Sequence, residues 1–143
     1  MTLVEVVIAI VVIAIAVSAV LGVLARNVGQ SADAMIVSQG VSIAEAYLEE
    51  ISLKAFGDPD GTDGEAGRAA FDDIDDYDGL VDAGARDQFG NAIPALSGYT
   101  VSVAVNPSSG LPGIAPGDAY RIDVRVELAP AVDYTLSGYR TRL

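Results

Sequence analysis

The sequence predicts an α+β fold, a long N-terminal α-helix packed on a small antiparallel β-sheet. Three observations carry that expectation. Residues 3–25 form an apolar run broken by a single charge, Glu5. Beyond it, apolar side chains continue at helical spacing to Ile51, and three runs after residue 98 alternate apolar and polar. Four segments follow: a hydrophobic helix at 1–25, the amphipathic half of the same helix at 26–56, an acidic connecting region at 57–98, and a β-meander at 99–143.

The first segment, LVEVVIAIVVIAIAVSAVLGVLA, would make about 35 Å of helix, enough to cross a hydrocarbon core of about 30 Å. Its Val and Ile are mediocre helix formers in water. In lipid a helix is favoured because it satisfies its own backbone donors. The length of the run, the absence of basic residues before it and the lack of a small-residue cleavage site separate it from a secretory signal peptide. Glu5 is anomalous there, since a carboxylate near mid-bilayer costs about 2.5–3.5 kcal/mol or more. It needs the interface or a cation, and the nearest fixed cation is the α-amine of Met1, of its own or a neighbouring chain.

Val28, Met35, Ile36, Ile43, Tyr47, Leu48 and Ile51 then recur at three to four residues, with Asn27, Gln30, Asp33, Ser38, Glu45, Glu49 and Ser52 opposite. The helix is expected over residues 2–55, with Phe56-Gly57-Asp58-Pro59 as its stop and Gly29 and Gly40 as points of bending.

The acidic segment holds eleven carboxylates between Asp58 and Asp87 against Arg68 and Arg86. One cluster is Asp58, Asp60, Asp63 and Glu65; the other is Asp72, Asp73, Asp75, Asp76 and Asp78. Calcium takes six to eight oxygen ligands, and Asp alternating with Gly supplies oxygens on a tight backbone. The first cluster begins like an EF-hand loop but carries Thr62 at position five and Asp63 where the glycine belongs. Two readings stand side by side: calcium loops, or solvated turns in which Asp is a turn former. Ile74 and Tyr77 inside the second cluster predict a short turn packed against the core.

The strands are expected at Tyr99–Val105, Tyr120–Leu128 and Val132–Thr141, with Ala129-Pro130-Ala131 as the last turn. Tyr99, Val101, Val103 and Val105 share one face, as do Ile122, Val124, Val126 and Leu128, with Arg121, Asp123, Arg125 and Glu127 opposite. Their apolar face is expected against the helix stripe.

Met1-Thr2-Leu3-Val4-Glu5 running into the apolar segment resembles the processed N-terminus of a type IV pilin-like protein. The resemblance implies that a prepilin peptidase removes a leader, that Met1 becomes N-methylated, and that Met1, Thr2 and Glu5 direct assembly. It implies that the numbering begins at the mature chain. Ile43–Ile51, Phe71–Tyr77 and the Gly98–Val103 strand resemble the D-type minor pilin of mannose-sensitive haemagglutinin pili. Many pilins carry a helix-melting proline near position 22. Here Gly22 follows Ser18 by one turn, which reads either as a melting point or as a close-packing site. The cystine that closes many pilin loops has no counterpart, because the chain has no cysteine.

Composition narrows the function classes. All eight basic residues and all but one of the twenty acidic residues lie beyond Ala25, and only Lys54 is lysine, so nucleic-acid binding is unexpected. With no histidine and no cysteine, the common general base and Cys/His zinc sites are missing. The expected function is a filament subunit that lies in the inner membrane before assembly and in an extracellular filament afterwards. Its partners would be other copies, other pilins, the prepilin peptidase and the inner-membrane assembly machinery. The alternatives are a type II secretion pseudopilin, or a non-assembling single-span protein with a calcium-binding domain.

Overall fold

The computed structural model describes residues 2–61 and 65–142, with residues 25–33 described as backbone only. The chain is α+β. Helix α1 spans Leu3–Ser52, and the strands are β1 (Val81–Ala83), β2 (Thr100–Pro107), β3 (Ala119–Leu128) and β4 (Val132–Thr141). They form one antiparallel sheet in the order β1-β2-β3-β4, each strand beside its neighbour in sequence.

Two units are distinguished, residues 1–36 and 37–143. In the first, Leu3–Leu24 has a mean hydropathy of 3.2 and none of it is buried by the chain itself, so it is long and apolar enough to cross a membrane. Unit division falls at Ile36, about three turns beyond the end of the apolar run. Met35, expected in the apolar stripe, is exposed. The expected stripe residue Val28 and the polar Asn27, Gln30 and Asp33 lie among the residues described as backbone only.

The second unit builds its core where the two periodicities meet. Ile43, Ala44, Tyr47 and Ile51 from α1 are buried, as are Tyr99, Val101, Val103 and Val105 from one sequence run and Ile122, Val124 and Val126 from the next. Alternation along β2 and β3 places those valines on one face, and β3 sends Arg121 and Arg125 to the other. There Arg125 pairs with Asp133 and Glu127. Helix α1 stops at Ser52, three residues before the expected end, and Lys54 and Ala55 turn the chain toward the acidic segment. Ala55 bridges Asp73 as an isolated parallel pair.

Helix α1 continues through Gly40. Gly40 lies buried against β4, and a Cβ there would stand 2.8 Å from Val132 Cγ1. Gly138 answers from the sheet: a Cβ at that position would stand 2.9 Å from Leu48 Cδ1. Each glycine receives a side chain from the facing element, which draws helix and sheet together. Gly40→Ala should therefore lower stability by about 1 kcal/mol in urea titrations. The gain of about 1 kcal/mol in helix propensity is outweighed by crowding against a stiff, β-branched neighbour.

The expected loop at 57–98 carries more structure than its composition suggested. It contains β1 and short 3-10 turns at Arg68–Ala70, Asp75–Tyr77 and Pro94–Leu96. The turn at Asp75–Tyr77 buries Ile74 and Tyr77 completely, as expected from those two residues.

Candidate functional site

Three groups of polar residues stand out: the start of α1, the acidic segment, and a buried arginine that joins the segment to the helix.

At the helix start, the Glu5 amide donates to Thr2 Oγ1 at 3.4 Å, and the Thr2 amide donates to the Glu5 carboxylate at 3.3 Å. This is a capping box, in which residues three apart each satisfy one orphan amide of the first turn. Negative charge in the first turn also suits the helix dipole. Met1, the other expected assembly residue, lies outside the described residues. Ser18 Oγ donates to the Ala14 carbonyl at 2.7 Å, and the helix runs unbroken through Ser18 and Gly22. A Cβ on Gly22 would meet nothing within 4 Å, so packing inside this chain does not require its smallness.

In the acidic segment the two sequence clusters fold onto each other. Carboxylates of Asp58, Asp60 and Asp72 gather with oxygens within 4.8 Å, and so do those of Glu65, Asp72 and Asp76. Asp72 belongs to both. The Asp72 and Asp73 amides donate to Asp76 Oδ2, and the Asp76 amide donates to Asp73 Oδ1, which closes the turn. Of the other expected ligands, Asp63 lies outside the described residues. Asp73, Asp75 and Asp78 stand apart from both groups, and Asp78 accepts the Val105 amide instead.

Three oxygens here, Glu65 Oε2, Asp72 Oδ1 and Asp73 Oδ2, are closed to solvent and have no hydrogen-bond donor. The shielding is local for Glu65 and Asp72, whose remaining atoms are part-exposed, but Asp73 is only 2% exposed as a residue. Crowding moves the acids. The Asp76 carboxylate beside Glu65 raises Glu65, and burial with the charges of Asp60, Asp58 and Asp76 raises Asp72. Burial, together with Asp75 and Asp76, pushes Asp73 up to about 6. Asp76 resists the upward push of its burial, because Glu65 and the two amides hold it below its ordinary value.

The third group is a closed ionic clasp that sequence reasoning missed. Arg68, with 4% of its side chain exposed, grips Glu50 of α1 with two parallel bonds, Nε to Oε1 at 3.0 Å and Nη2 to Oε2 at 2.7 Å. Its Nη1 reaches Asp82 of β1 at 2.7 Å, and its guanidinium carbon lies 4.1 Å from the centre of the Tyr47 ring. Tyr47 Oη donates to Asp82 at 2.7 Å and accepts the Arg86 amide, while Tyr77 Oη donates to Glu50 at 2.8 Å. Burial alone would push the Arg68 guanidinium down. The Glu50 carboxylate and Tyr47 instead hold it above its ordinary value. Tyr77 is raised by burial and by its bond to Glu50. Within the clasp, donors and acceptors are matched with one another, and it ties the segment after α1 to the helix and to β1.

A groove of about 620 Å³ runs beside α1, lined by Ile43, Leu53, Phe89 and Ile93 and, from the clasp, by Tyr47, Glu50 and Arg86. Leu53 and Phe89 are exposed at its rim. Comparison with protein-family models, curated proteins and solved structures returned no match to this chain.

Proposed function

We propose that this chain is a structural subunit of a type IV pilus-like helical filament, of the type IV pilin-like family. The observation that carries the reading is the start of α1: an unburied apolar helix whose one carboxylate lies in its first turn. Such a helix is stable in a bilayer, or packed against like helices that replace the lipid contacts. Before assembly it anchors the chain in the inner membrane. During assembly it leaves the bilayer for the filament core. Glu5 then meets the Met1 amine of an adjacent chain. An unpaired carboxylate is strongly penalised at low dielectric, so the paired register is selected. The acidic α+β unit stays in water. Prepilin peptidase prepares the N-terminus, and an assembly ATPase supplies the work.

Shearing filaments from intact cells, imaging them and identifying their protein with its N-terminal peptide tests the proposal. The expected result is this chain in the filament fraction, beginning with N-methylated Met1. Abundance there distinguishes a major from a minor subunit. A chain confined to the membrane, whose deletion stops protein secretion, would place it among the pseudopilins. Retention as a monomer in detergent with no filament fraction would overturn assembly altogether.

A further inference from the structure

We infer that the groove beside α1 receives the end of β4 from a second copy of the chain, with Tyr139 entering it and Arg140 and Arg142 facing Glu49 and Asp87. Groove and strand end both belong to the unit of residues 37–143. Each is left uncovered by the fold: Leu53 and Phe89 stand exposed at the groove, and Tyr139 at the strand end.

Charge names the occupant. Residues 37–98 carry fourteen carboxylates against Lys54, Arg68 and Arg86, whereas residues 99–143 balance four carboxylates with four arginines. In the groove lining, Glu50 is met by Arg68, and Arg86 is met by Asp82. Glu49 is exposed and joins no ion pair among the described residues. Asp87 is hydrogen-bonded only to neutral donors, the amides of Phe89 and Asn91 and the Asn91 side chain. The groove therefore offers an apolar floor and two carboxylates without a cation bonded to them.

The strand end offers the opposite. Arg140 meets no carboxylate among the described residues. Its Nη1 donates to the Thr141 carbonyl at 3.3 Å, and its Nε is closed to solvent with no acceptor. Arg142 is exposed and reaches Asp118 only at 3.9 Å. Tyrosine and arginine are the residue types that anchor protein interfaces, one by its apolar body and the other by forking onto carboxylates.

The two surfaces also lie far apart in the fold. One wall of the groove comes from residues 85–96, which follow β1, and β1 and β4 are opposite edges of the sheet. A copy that gives its β4 end to one neighbour keeps its groove free for another. Such a head-to-tail contact does not close as a two-fold dimer does, and it repeats into rings or open helices. A groove and a strand end are small beside the roughly 800 Å² per partner of a stable complex. The contact therefore forms where a membrane or filament concentrates the copies. It deepens the filament reading by naming how one acidic unit meets the next, and rests on that reading only for the crowding.

Because the chain has no cysteine, introduced pairs report on single positions. The full chain carrying Ala46→Cys in the groove wall and Thr141→Cys at the strand end is treated with a short bismaleimide in intact cells. Sheared filaments and membranes are then separated and run on denaturing gels. The expected result is a ladder of dimers, trimers and longer species, while either cysteine alone gives no ladder. Glu49→Arg should reduce the ladder by about fivefold or more, and adding Arg142→Glu should restore it. Dimers alone from the double variant would mean a two-fold contact, and no linked species in either fraction would mean no contact; both overturn the docking. A link from Ala46→Cys to a different protein, without a ladder, would put another occupant in the groove and overturn it too. So would a failure of Arg142→Glu to rescue Glu49→Arg. Filaments without a ladder would remove the docking and leave the filament reading standing. A ladder in membranes with no filament fraction would do the reverse.

Discussion

Arg68→Ala should destabilise the unit built from residues 37–143 by about 3–5 kcal/mol, the largest single-residue loss expected outside the apolar core. The charge pair itself is not the source of that figure, since a buried ion pair gains little over apolar side chains of equal volume. The cost comes from what is left behind. Glu50, with its side chain 13% exposed, would lose the fork that neutralises it, Asp82 would keep only Arg86 at 3.3 Å of its two arginine partners, and Tyr47 would lose the cation over its ring. In urea titrations of the full chain in detergent, the midpoint should fall steeply while the helical signal of residues 3–24 persists. Arg68→Lys should recover only part of the loss, because an ammonium cannot make both bonds to Glu50 and still reach Asp82. Adding Glu50→Ala to Arg68→Ala should cost less than the two separate losses combined, since one stranded charge is then gone. Strict additivity would show that the clasp is not a coupled unit.

Glu5→Gln should reduce incorporation into sheared filaments by about tenfold or more, measured against membrane-retained subunit. This substitution separates two roles that the geometry superimposes. Glutamine suits the third helical position of a capping box as well as glutamate does, so the bonds with Thr2 can persist while the charge is lost. Loss of assembly would then belong to the charge. Thr2→Ala reverses the experiment: the carboxylate stays and the cap goes, at about 1 kcal/mol. That variant should still assemble, at reduced level. If Glu5→Gln assembles normally and Thr2→Ala does not, helix capping is the function of the pair, and recruitment by charge is wrong.

Much of the fold was legible because burial and periodicity coincide. Ile122, Val124 and Val126 could be assigned to one face from alternation alone, and all three are buried. Strand β1 was not legible, because its pattern is inverted: Val81 is exposed, and the buried residue between it and Ala83 is Asp82. Only the arrival of Arg68, Tyr47 and Arg86 makes a buried aspartate tolerable there, and no local pattern encodes that arrival. Arg68 was hidden for the same reason, since an arginine among eleven acids reads as a solvated charge. The capping box, by contrast, was present as Thr2-x-x-Glu5; the apolar run that follows drew attention to lipid instead of to the first turn. In the acidic segment, two clusters were visible, but not that the bridge between Ala55 and Asp73 would bring them to a shared Asp72.

The reciprocal glycines also have a mechanical meaning. Val132 stands over Gly40, and Leu48 over Gly138, so each element carries both a knob and a hollow for the other. Sliding the 37–52 stretch of α1 along the sheet would drive both knobs out of their hollows at once. Tension along that stretch is therefore borne in shear by two steric stops and the packed side chains between them, not by peeling strands apart one hydrogen bond at a time. Under an axial pull, a unit packed this way should hold until both stops are cleared and then give way in one step.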